Sequence, residues 1–137
     1  MTHGRSIKVK SKGFSDIVNV SGEVQAIVSE SGIDEGLVAV TVTGSTASVT
    51  TIEYEPALVE DMKELLEKLV SRDIHSRHSE TWGDDNGFSH MRASLMGPGV
   101  TLPVSEGRVL TGTWQQIVLV DHDNRPRQRE VRITVVG

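Results

Sequence analysis

The chain has 137 residues, 36% hydrophobic and 24% charged, which suits one domain with a core of its own. Its 14 basic and 19 acidic residues leave a net charge of −5, which argues against generic nucleic-acid binding. With no cysteine, disulfides and thiolate chemistry are excluded, and any metal must be held by His, Asp, Glu or water.

Residues 6–20 read as two short strands around Ser11-Lys12-Gly13, with Ile7 and Val9 alternating ahead of the turn. Ser21 reads as a helix N-cap, followed by Val24, Ile27 and Val28 at helical spacing and by Gly32 as the stop. Residues 37–43 form a β-branched strand, Gly44-Ser45-Thr46 breaks it, and Ala47 to Glu53 resume a strand pattern. Pro56 suits the first position of a second helix. Leu58, Met62, Leu65, Leu66 and Leu69 give that helix one apolar stripe, while Glu60, Asp61, Lys63, Glu64, Glu67 and Lys68 face water. A polar loop runs from about Ser71 to Ser89. Strands at 90–96, 99–104, 107–111, 115–121 and 129–136 follow, with turns at Glu106-Gly107 and Asp123-Asn124. Few helices among many strands predict an α+β fold over residues 1–137. It is a single domain, mostly antiparallel β-sheet with two main helices packed on it. No apolar run approaches the roughly 18 residues of a membrane span. Residues 1–13 lack the apolar stretch of a secretory signal, so a cytoplasmic protein with no membrane or nucleic-acid partner is expected.

Residues 78–97 carry the densest chemistry. His78 and His90 bracket Glu80, Asp84, Asp85 and Asn86. A strand at 90–96 would put His90, Arg92, Ser94 and Met96 on one face and Met91, Ala93 and Leu95 on the core face. On that reading Arg92 holds phosphate with its fork of donors, helped by Ser94. His78 and His90 bind a divalent metal, zinc or magnesium, or transfer a proton. Glu53, Glu80, Asp84 and Asp85 are the carboxylates available beside them. The plainer alternatives are surface histidines and an acidic turn. His3, His75 and His122 read as solvent-exposed. Gly44-Ser45-Thr46 can cradle a phosphate oxygen with hydroxyls and free N–H groups. It lacks the lysine and helix of a P-loop, and a plain turn competes. Trp82 and Trp114 read as packing anchors, and Arg125, Arg127, Arg129 and Arg132 as a solvated strand edge.

Several segments taken together resemble the YjbQ-like family, small proteins often labelled secondary thiamine-phosphate synthase. They are Gly44-Ser-Thr-Ala-Ser-Val-Thr-Thr-Ile-Glu-Tyr-Glu-Pro56, the loop from His78, Ser89-His-Met-Arg-Ala-Ser-Leu-Met-Gly97, Leu110-Thr-Gly-Thr-Trp-Gln-Gln-Ile117 and Asp123-Asn-Arg-Pro-Arg127. The likeness spans essentially the whole chain. It implies an α+β homotrimer with a polar pocket at or near subunit contacts. The implied activity joins a thiazole phosphate to a pyrimidine diphosphate and releases pyrophosphate, though the family's physiological role is unsettled. Many members carry histidine where this chain has Gly44, and His-Ser-His where it reads Phe88-Ser89-His90. This chain therefore keeps two of those histidines. The expected site takes His78, His90, Arg92 and Asp85 as catalytic groups. Gly44, Ser45, Thr46, Asn86, Ser94 and Gln115 bind substrate, and His78 and His90 bind metal. The alternative is a non-catalytic trimeric protein that binds phosphate or metal through a degenerate site.

Overall fold

In the computed structural model, which describes residues 1–137, the elements in chain order are β1 (Thr2–Ser11), β2 (Asp16–Asn19), α1 (Ser21–Ser31), β3 (Gly36–Thr43) and β4 (Ala47–Glu53). They are followed by α2 (Pro56–Leu69), α3 (Arg77–Trp82), α4 (Gly87–Met96), β5 (Gly99–Ser105), β6 (Arg108–Val109), β7 (Gln115–Asp121) and β8 (Arg127–Val136). The strands form two antiparallel sheets, one ordered β1-β8-β3-β5-β6 and the other β2-β7-β4.

Alternation builds the larger sheet. Val38, Val40 and Val42 of β3 and Val131, Ile133 and Val135 of β8 turn inward, while Thr41, Thr43, Glu130 and Arg132 turn out. The inward row packs on Ala47 and Val49 of β4 and Ile117 and Leu119 of β7, and α1 adds Val24, Ile27 and Val28 to the same core. The opposite face of β7 presents Val118 and Val120 which, with Ile17, bury against Leu66 of α2. The result is three layers: sheet, sheet and helices. Strand β7 lies in the middle layer, which is why Ile117-Val118-Leu119-Val120 is an unbroken apolar run rather than an alternating one.

The α+β class and the antiparallel pairing agree with the sequence reading, but the helix count rises to four. The predicted loop from Ser71 to Ser89 contains α3 and the start of α4. Residues 90–96 are helical, not a strand. A seven-residue alternation of polar and apolar side chains is too short to exclude a helix, and here Met, Arg, Ala and Leu follow their helical preference. Gly87 allows the helix to start close to its neighbour, because a Cβ there would overlap Ser76 Oγ. Ser21 is the first helical residue rather than the cap, and its hydroxyl accepts the Ile117 N–H at 2.8 Å. Trp82 and Trp114 are 71% and 72% exposed, so neither anchors the core. No helix is long and apolar enough to cross a membrane.

Candidate functional site

Strand β7 ends in Asp121, and His122 and Asp123 follow it into the interior; all three side chains are fully buried. Strand β8 answers with Arg129, whose Nε and Nη2 bond the two Asp121 oxygens at 2.7 and 2.8 Å. Ser11 donates to Asp121 at 2.7 Å. Asp123 accepts from Thr46 Oγ1 at 3.1 Å and from Arg127 Nε at 2.8 Å. Burial alone would raise both carboxyls. For Asp121, Arg129 and Ser11 reverse that and hold it below its ordinary range. For Asp123, the Asn124 N–H, Arg127 and Asn86 do the same. Between them, His122 Nε2 lies 2.9 Å from Ser48 Oγ, while its Nδ1 has no partner. Burial, then the Arg92 charge, pushes this imidazole from 6.5 down to about 4, so it is neutral at neutral pH.

The two remaining histidines of interest stand on the helical layer beside this floor. His78 of α3 and His90 of α4 meet with ring centroids 4.4 Å apart at 57°. The helices are fixed to one another near their starts. Ser76 caps α3 through the Ser79 N–H, and Ser79 Oγ accepts from the Gly87 N–H at 3.3 Å. His78 Nε2 is 3.9 Å from Asp84 Oδ2. Burial and the neighbouring His78 lower the His90 pKa, against the pull of Asp123 and Asp84. Buried Asn86 links the two groups, donating to Asp123 Oδ1 at 3.3 Å while its amide oxygen faces the Asp84 carboxylate. Turned over, the same amide would donate to both Asp84 oxygens, at 3.0 and 3.1 Å. Two carboxylates thus compete for one amide.

The structure gathers His78, His90, Asn86 and Thr46 at one end of the sandwich, where Thr46 and Asn86 bond opposite oxygens of Asp123. Arg92 departs from the expectation, because on a helix it no longer shares a face with His90. It is 2% exposed and spends its donors on Val70 O at 2.7 and 2.9 Å, Ser15 Oγ at 3.1 Å and Glu67 Oε2 at 2.9 Å. Ser94 is an exposed residue of the same helix. Gln115 is occupied as a brace, accepting from the Gly112 N–H and donating to Thr51. It begins β7 whereas Asp121 ends it, about 20 Å away at strand rise. Asp85 turns aside with φ +55° and lines a polar cleft with Arg72, His75 and Glu80, and Glu53 ends β4 beside Gln115. His122 is buried, not solvent-exposed, and Arg129 is no solvated edge.

Asp121, Asp123, Ser48, Arg127 and Arg129 are the site residues that local sequence reading missed. The available signal was the apolar run of β7, whose two covered faces carry burial on into the residues that follow. No group of three or more His, Asp or Glu side chains is arranged to hold a metal ion. The groups that do come together are the His78 and His90 imidazoles and the Asp84 carboxylate, whose donor chemistry is of the kind divalent cations take.

A sequence model described as UPF0047 protein YjbQ-like matches residues 5–137. A UPF0047 protein of Methanothermobacter thermautotrophicus is 34% identical over 122 residues, covering 89% of this chain and 83% of its own. One from Mycobacterium tuberculosis is 38% identical over 121 residues, covering 88% of each. Among solved structures, a hypothetical protein of Aeropyrum pernix superposes with a TM-score of 0.90 at 32% identity, over 98% of both chains. A protein of unknown function from Sulfolobus solfataricus, described as YbjQ-like, gives 0.89 at 27% identity, over 100% of this chain and 99% of that one. With the family pattern matched along nearly its whole length and the same fold in its relatives, the chain belongs to the UPF0047 (YjbQ-like) family.

Proposed function

We propose that this protein is an enzyme acting on phosphorylated small molecules, as its resemblance to secondary thiamine-phosphate synthase implies. The observation that supports the reading is the meeting of His78 and His90 beside Asp84 and Asn86 at the rim of the buried Asp121–Asp123 network. In the implied reaction the thiazole nitrogen bonds to the pyrimidine methylene carbon while the carbon–oxygen bond to pyrophosphate breaks, the electron pair leaving with pyrophosphate. Charge on that leaving group is what the site must neutralise. His90, its pKa lowered by burial and by the neighbouring His78, can take up or deliver a proton. The Asp123 network orients Asn86 and through it the loop that carries Asp84. A divalent cation, zinc or magnesium, would be held by His78 and His90 with Asp84, and would supply positive charge for the departing phosphate oxygens. Function as a cytoplasmic homotrimer belongs to the same reading.

The competing reading is a non-catalytic trimeric protein that binds phosphate or metal, favoured by Gly44 and by the lack of a three-ligand metal cluster. Pyrophosphate release by the metal-replete protein, given a thiazole phosphate and a pyrimidine diphosphate, separates the two. The enzyme reading expects release that requires both substrates. Thermal stabilisation by those compounds without any release would instead establish the binding protein.

A further inference from the structure

The turn between β3 and β4 lies on the other side of Asp123 from Asn86 and carries chemistry that the histidine pair does not use. Gly44 has φ +133°, and a Cβ built there would meet only Arg129 Nη1, at 3.2 Å, within 4 Å. The missing side chain leaves an open notch in front of a guanidinium. That guanidinium is 8% exposed and rigid, with Nε and Nη2 committed to Asp121, and Nη2 to Thr46 Oγ1 as well, at 2.7 to 2.8 Å. Nη1 makes no hydrogen bond to the protein. The N–H groups of Gly44, Ser45 and Thr46 have no acceptor either, and Ser45 is exposed. The two nearby buried carboxylates are each ion-paired, Asp121 with Arg129 and Asp123 with Arg127, each at 2.7 Å.

We propose that this notch is a phosphate-binding subsite. One phosphate oxygen bonds Arg129 Nη1, and others take the N–H groups of residues 44–46 and the Ser45 hydroxyl. Such donors suit a phosphate monoester or pyrophosphate, because a tetrahedral anion has oxygens enough to match several unspent donors. Glycine at position 44 is the specificity-determining feature, since any side chain there stands in front of Nη1. The ligand class deepens the function proposed above and rests on that reading of this end of the molecule.

Amide NMR of the full chain, titrated separately with inorganic phosphate, pyrophosphate and acetate, tests it. The expected result is saturable shifts at Gly44, Ser45 and Thr46 with both phosphates. A Gly44→Ala variant that stays folded by the same spectra should bind about tenfold more weakly, the loss of one charge-assisted hydrogen bond. No saturable shift at residues 44–46 at the highest soluble phosphate overturns the subsite. Equal binding of acetate overturns the phosphate assignment. Pyrophosphate release is scored separately, so a silent notch in an active enzyme sinks the subsite alone. A responsive notch in an inactive protein sinks the enzyme reading alone.

Discussion

His122 and Arg92 are the two residues whose environment most constrains what the protein tolerates. An unfolded His122 takes up a proton near 6.5, whereas the folded one resists until about 4. Between those values the unfolded state binds more protons, so stability falls as pH drops through that window. The gap is worth on the order of 3 kcal/mol. Asp121 and Asp123, held below their ordinary 3.8, add their own loss only at lower pH. Chemical denaturation across the window should therefore show a steep pH dependence that a His122→Gln variant flattens. Parallel curves for the two proteins would contradict the assignment. Arg92→Ala should cost about 3 kcal/mol in urea denaturation, because it orphans the Val70 carbonyl and Ser15 in the interior. Arg92→Lys should not recover the loss, since one ammonium cannot span Val70, Ser15 and Glu67. Full stability with lost activity would instead return Arg92 to the ligand site. Little local to Asp121-His122-Asp123 sets it apart from a surface turn, because apart from Arg127 and Arg129 its partners come from β1, β4 and the helical layer, far off in sequence.

At the scale of elements, α3 and α4 decide the site, because each supplies one histidine and their docking sets the separation. Gly87→Ala places a Cβ on Ser76 Oγ and should drive the two helix starts apart. The expected signature is loosened histidines, read as broadened or shifted imidazole resonances, with the β-sheet amides unchanged. Unperturbed imidazoles would show that the pair does not depend on this contact. In α2 the Glu55 carboxylate accepts from the N–H groups of Ala57 and Leu58, and Glu55→Ala should cost about 1 kcal/mol. That helix was legible in the sequence because fourteen residues repeat the apolar stripe over four turns and Pro56 marks its start. Strands β4 and β7 were legible for a similar reason, since each is bounded by turn residues. Helix α4 was not. Its ten residues show too little periodicity to separate helix from strand, and docking on α3 settles the outcome. The misassigned face then carried Arg92 into the expected ligand site.

Across the whole molecule, the two-sheet sandwich, with α1 in its core and α2 on the outer face of β7, brings the ends of β3, β4, β7 and β8 to a single rim. Topology accounts for why residues 44–46, 78–90 and 121–129 meet although no local motif contains them together. The sequence reading singled out His78, His90, Asn86 and the 44–46 turn by residue chemistry, and the structure brings them to the same end of the molecule. The Arg129 side of the site was hidden, because an arginine in an alternating edge-like strand reads the same whether it faces water or a buried carboxylate. A homotrimer predicts a sedimentation mass near three times the 14.9 kDa chain, and a single-chain mass at working concentration would remove subunit contacts from the account. The central claim is that His78 and His90 act as one catalytic unit. Single-turnover pyrophosphate release by the His78→Ala, His90→Ala and double variants, each verified as folded, tests it most directly. A unit predicts that either single change costs nearly as much as both together, whereas a double variant that retains the full wild-type rate contradicts it.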